Sequence, residues 1–161
     1  MANILIIGES NGDKVKNVTL EILGKLSGQN LDVAFIGAVS DAMSAELTKY
    51  GANNIHGLTG EKLETYSPEG YANSFHSFIS NNNYDYVFSG STSVGKDLMP
   101  RLAGMFDAGM ASEVVSFTMD GDTFSGTRPM FAGKCLAKVQ VQGPKPHFVT
   151  VRPNALGLTD S

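Results

Sequence analysis

Two apolar rhythms alternate through the first two-thirds of the chain. Ile4 to Ile7 is an unbroken apolar run, as expected of a strand covered on both faces. Val15 to Leu26 follows, with Val18, Ile22, Leu23 and Leu26 at helical spacing, and Gly28 stands just past its end. Leu31 to Ile36 reads as a second strand. Ser40 then caps a helix carrying Met43, Leu47 and Tyr50, which Gly51 stops. Asn54 to Leu58 is a short third strand, and Pro68 opens a helix with Tyr71, Phe75, Phe78 and Ile79 on its inner face. Tyr84 to Phe88 is a fourth strand, followed by a helical pattern from Leu98 to Phe106 with Pro100 near its start. That order predicts an α/β fold with a mainly parallel sheet wrapped by helices on both sides.

Beyond Asp107 the helices stop. Val114 to Met119 and Thr123 to Arg128 flank Asp120-Gly121, a hairpin signal. Lys134 to Gln142 and His147 to Arg152 bracket a second turn at Gly143-Pro144. The last third is therefore expected to add strands to the parallel sheet or beside it. No repeat, low-complexity tract or linker interrupts residues 1–153, which read as one domain. Residues 154–161 read as a short polar tail, or a severed linker.

The chain has 161 residues, enough for one domain with a real core. It is 42% hydrophobic and 17% charged, the composition of a globular protein rather than a disordered one. A net charge of −4 without any Lys/Arg-rich run argues against a nucleic-acid surface. Every apolar stretch is strand-sized, so no membrane insertion is expected. Met1 to Ile7 has no basic region and runs straight into a strand, unlike a signal peptide. A single cysteine, Cys135, permits no internal disulfide and fits a reducing, cytoplasmic setting.

Gly90-Ser91-Thr92-Ser93-Val94-Gly95-Lys96-Asp97 fits G-x-x-x-x-G-K and then places Asp where Ser or Thr would hold Mg²⁺. No apolar strand ending in Asp follows to supply a second metal ligand, so ATP cleavage is disfavoured. Two readings of the loop stay open. Gly90, Thr92, Gly95 and Lys96 could bind AMP or ATP in a stand-alone nucleotide-binding domain. Alternatively the glycines only make a tight strand-to-helix turn, and Glu9 and Asp97 would repel a phosphate unless Lys96 compensates. Asp97 and Arg101, spaced i, i+4, are expected to pair along the helix.

Elsewhere the chemistry is sparse. Arg128-Pro129-Met130-Phe131-Ala132-Gly133-Lys134 holds an arginine at a strand end beside a sharp turn, suited to a phosphate, a carboxylate or a partner backbone. His56, His76 and His147 have no metal-site spacing. Cys135 in a strand pattern reads as a core thiol, and Met99, Met105 and Met110 as core filling. No Ser-His-Asp set or carboxylate pair stands out, so an acid–base enzyme is not expected.

Three blocks carry a family resemblance. They are Val87-Phe88 with Ser91 to Ala103, Thr127 to Lys134, and Val149 to Ala155, joined by the opening Asn3 to Glu9 with Lys16 to Glu21. Together they resemble the amino-terminal domain of the electron-transfer flavoprotein alpha subunit, in the family's order over essentially the whole chain. The resemblance implies a three-layer α/β/α, Rossmann-like domain related to adenine-nucleotide-binding folds, with added antiparallel strands in the last third. It also implies a partner-binding role rather than catalysis. In the family this domain packs against the beta subunit, and FAD sits in the alpha subunit's carboxy-terminal domain. AMP, or a second FAD, is held mainly by the beta subunit. The complete heterodimer takes electrons from acyl-CoA or other dehydrogenases. The glycine- and arginine-rich flavin signature is absent from these residues, so no cofactor is expected on this chain alone. Lys134-Cys135 departs from the family's more usual Asn and small residue. Arg128, Ala132 and Gly133 are expected to face the beta subunit and its nucleotide.

Overall fold

The computed structural model describes residues 1–159. Strand β1 (Asn3–Ile7) leads through a two-residue ribbon, β2 (Ser10–Asn11) with β3 (Lys14–Val15), into helix α1 (Asn17–Lys25). Then come β4 (Asn30–Ile36), α2 (Asp41–Lys49), β5 (Asn54–Leu58), α3 (Pro68–Ser80), β6 (Tyr86–Gly90) and α4 (Ser93–Met105). The last third holds β7 (Met110–Val114), β8 (Ser116–Asp120), β9 (Thr123–Met130), β10 (Cys135–Val139) and β11 (His147–Val151).

The main sheet has six parallel strands in the order β5-β4-β1-β6-β11-β7. Side chains alternate between its faces, and the apolar runs fill both. Ile4, Ile6, Phe88, Val149 and Val151 pack with α1 and α2 on one side. Leu5, Ile7, Val87 and Phe148 pack with α3 and α4 on the other. The α/β/α layering expected from the sequence is therefore the layering observed. The helix starts also follow local chemistry: Ser40, Ser67 and Thr92 each accept a hydrogen bond from the backbone N–H three residues on.

The last third departs from a run of local hairpins. Gly143-Pro144 does not join two paired strands. Instead β11 returns to the parallel sheet and inserts between β6 and β7, with all five residues buried. The antiparallel strands form a separate sheet, β10-β9-β8. Its root is the expected Asp120-Gly121 hairpin, closed by a two-residue loop in which Gly121 takes positive φ, as in a type II′ turn. Phe117 and Phe124 carry this root into the core. Their rings lie 5.3 and 6.0 Å from Phe88, and the Tyr86 hydroxyl donates to the Asp122 carbonyl while accepting from the Phe124 N–H.

Residues 154–159 are docked, not free. Glu21 is only 2% exposed, and its carboxylate accepts the backbone N–H groups of Asn154, Leu156 and Gly157 at 3.1–3.3 Å. A Cβ on Gly24 would meet the Thr159 carbonyl oxygen at 2.4 Å, so the segment runs tightly along α1. Residues 160 and 161 of the expected tail lie outside the described residues.

Candidate functional site

The main sheet's strands run in opposite sequence directions from the β1–β6 junction: β1 steps outward to β4, while β6 steps outward to β11. Such a switch point opens a crevice at the carboxyl ends of the strands. The P-loop-like segment lies at this edge, between the end of β6 and the start of α4.

Its geometry is that of a closed turn. A Cβ on Gly95 would lie 1.9 Å from the Gly90 carbonyl oxygen, and one on Gly90 would lie 2.6 Å from Val18. Both glycines are required by packing within the protein. Thr92 caps α4 by accepting the Gly95 N–H, and its own hydroxyl donates to the Glu9 carboxylate. Glu9 thus places a negative charge at the positive end of the helix, where a bound anion would otherwise be favoured. Lys16 pairs with the same carboxylate at 2.8 Å.

Lys96 reaches away from this crevice. Its ammonium lies 2.8 Å from the Glu113 carboxylate at the end of β7, two strands beyond β6. That bond holds the Glu113 carboxyl below its ordinary pKa, with the nearby charges of Arg152 and Arg128 acting in the same direction. Glu113 takes φ of 54°, in the left-handed region, and its N–H bonds the Thr150 hydroxyl. Three cations from α4, β9 and the end of β11 thereby surround one carboxylate. Sequence reasoning had no signal for this cluster, because its members are far apart along the chain.

Asp97 and Arg101 pair as the spacing predicts, at 3.3 Å. Asp97 also accepts the Tyr66 hydroxyl. Burial and this bond push the Tyr66 phenol up to about 12, and the same bond holds Asp97 below its usual range.

Arg128, Ala132 and Gly133 lie together on a projecting arm made by the far half of β9 and by β10. Residues Phe131, Ala132 and Gly133 all take positive φ around its tip, closed by Gly133 N–H to Met130 O and Lys134 N–H to Phe131 O. For two non-glycine residues this is a strained turn. Phe131 is 76% exposed and Leu136 68% exposed, both on this arm. Cys135 is exposed there too, which corrects its reading as a core thiol: the arm projects, so no layer covers it. Met105 is likewise exposed, whereas Met99 is fully buried. Beneath the arm, the Arg128 Nε is buried without a hydrogen-bond partner. Such orphaned donors are rare in native structures and call for an explanation.

Among the described residues, no cluster of His, Cys, Asp and Glu side chains could hold a metal ion. No helix there is long and apolar enough to cross a membrane.

The family model described as "Electron transfer flavoprotein domain" matches residues 4–159. The chain belongs to that family. It is 32% identical to the electron transfer flavoprotein subunit alpha of Bacillus subtilis, over 98% of this chain and 49% of that protein. With the subunit alpha of Thermoanaerobacterium thermosaccharolyticum it shares 28% identity, over 96% of this chain and 49% of the relative. A subunit of the lactate dehydrogenase (NAD(+),ferredoxin) of Acetobacterium woodii is 27% identical over 86% of this chain and 35% of that protein. The chain thus spans about half the length, or less, of these relatives. The resemblance read from Ser91 to Ala103, Thr127 to Lys134 and Val149 to Ala155 is confirmed at the level of the family.

Proposed function

We propose that this domain is the assembly domain of an electron-transfer flavoprotein alpha subunit, docking a beta subunit through the β9–β10 arm. The observation that carries the reading is the exposure of Phe131 and Leu136 on an arm whose tip is strained. Large apolar side chains presented this way lose their contact with water only when a partner covers them. Arg128, with its unpaired buried Nε, offers a fork of donors on the face of the arm opposite Leu136, toward Glu113. Ala132 and Gly133 let a partner backbone approach the tip closely.

FAD is held elsewhere in this reading. The α4 start carries the Glu9 carboxylate, Lys96 is paired with Glu113, and Gly95 closes on Gly90, so these residues do not fit a dinucleotide diphosphate. The same features leave AMP and ATP without a cradle at Gly90, Thr92, Gly95 and Lys96. The domain supports electron transfer in a cytoplasmic heterodimer fed by dehydrogenases, and does no chemistry itself.

A titration of this chain with an electron-transfer flavoprotein beta subunit from the same genome tests the reading. Saturable one-to-one binding that Phe131→Ser with Leu136→Ser weakens by about tenfold or more is the expected result. Binding unchanged by that double substitution, or no binding to the wild-type chain, contradicts it.

A further inference from the structure

A cleft opens at the switch point itself, on the α3–α4 side of the sheet. Its volume is about 120 Å³, and its walls are Ile7, Ile36, Tyr71, Phe75, Val94 and Leu98. Gly8, Glu9, Ser89 and Gly95 complete the lining. This is the outer end of the core layer beneath α3 and α4, left unfilled where the strands diverge. An apolar cavity of about 150 Å³ takes up benzene, so the cleft has room for one six-membered ring, with larger parts of a ligand in its open mouth.

Its one charged group is an acceptor, the Glu9 carboxylate, and the Tyr71 and Ser89 hydroxyls are its neutral polar groups. The Ser89 hydroxyl reaches only the neighbouring Gly90 carbonyl, at 3.2 Å. Each Glu9 carboxylate oxygen receives one hydrogen bond, from Thr92 or from Lys16, and keeps capacity for another. A ligand matched to this lining therefore has a flat apolar ring and N–H or O–H donors at its edge. It carries no negative charge, because the Glu9 carboxylate lines the cleft. Lys16 lies on the far side of that carboxylate, in a separate groove with Lys14, Thr92 and Asn154. Lys96 is directed toward Glu113.

The geometry points to a binding site for a neutral nucleoside in this cleft, with the six-membered ring of the base between Tyr71 and Phe75 of α3 and Val94 and Leu98 of α4, and the rest of the base and the sugar in the open mouth, hydroxyls toward Glu9. The site differs from a phosphate-binding loop in what it excludes: adenosine enters, and AMP is disfavoured. It is independent of the β9–β10 arm, so docking and ligand binding can fail separately.

Adenosine titrated into the ¹⁵N-labelled chain, followed by amide shifts, tests the site. Expected are saturable shifts at Gly8, Glu9, Ser89, Val94 and Gly95 at millimolar or lower adenosine, with AMP binding about tenfold more weakly. Glu9→Gln should narrow that preference, since it removes the negative charge that lines the cleft. Val94→Phe, at the partly exposed start of α4, should fill the cleft and abolish the shifts. The absence of saturable shifts with adenosine overturns the site, as does AMP binding to the wild-type chain as well as adenosine does.

Discussion

Lys96 and Glu113 form an ion pair of 2.8 Å that links the start of α4 to the end of β7. The pair engages the one cation in the P-loop-like segment, which in the proposed reading leaves that segment without a free cation for a phosphate. Its pH dependence follows from Glu113. A carboxyl whose folded pKa is depressed binds fewer protons folded than unfolded, so stability rises with pH through that range. The contribution is complete above the ordinary glutamate pKa and is lost as pH falls through the lower, folded value. Lys96→Met should raise the Glu113 midpoint toward the ordinary range, read from its side-chain carboxyl ¹³C shift. An unmoved midpoint would show that Arg128 and Arg152 alone hold it down.

Glu21 is the second polar anchor. Replacing it by Ala leaves the N–H groups of Asn154, Leu156 and Gly157 without their acceptor. A loss of about 1–3 kcal/mol is expected by urea unfolding, together with faster proteolysis within residues 154–159. Glu21→Gln, which keeps an oxygen acceptor, should lose less. Unchanged proteolysis in Glu21→Ala would mean that packing against Gly24 alone holds the segment.

Gly95 tests the turn. A methyl group there meets the Gly90 carbonyl at 1.9 Å, a backbone atom that cannot rotate away. Gly95→Ala should cost about 1–3 kcal/mol of overpacking, read as a lowered urea midpoint. Gly104→Ala, on the exposed side of the same helix with nothing within 4 Å, should be neutral or slightly stabilising.

Phe124 fixes the small sheet to the core through Phe88, Phe117 and the Tyr86 hydroxyl. Phe124→Ala is expected to cost about 3–5 kcal/mol, among the largest single losses in the domain. If the arm were independent of the core, thermal unfolding would show a small loss and two transitions.

What could be read from the sequence was whatever local periodicity decides. Ile4 to Ile7 announces a doubly covered strand without knowledge of its neighbours. Ser40 sits where a helix cap belongs, and Pro68 where a helix opens. By contrast, His147 to Val151 has the same strand signature, yet nothing in it specifies insertion between β6 and β7; that pairing depends on distant residues. Glu21 looks like an ordinary solvent-facing glutamate until the segment 133 residues later folds over it. Cys135 shows strand alternation, but alternation implies burial only when a layer covers the strand, and the Cys135–Leu136 end of the arm is exposed while Val139 packs on the core. At the candidate site, the motif located the edge and the turn correctly. It was silent about the Glu113 cluster and the cleft, which are properties of tertiary approach.

The central claim is that the β9–β10 arm is the docking surface, and hydrogen exchange of the amides with and without an electron-transfer flavoprotein beta subunit tests it most directly. Protection on complex formation should concentrate in residues 127–139, with the strongest effect around Phe131 to Leu136. A stable complex whose protection falls on α2, α3 or the β5 edge, leaving residues 127–139 exchanging as in the free chain, would contradict the account.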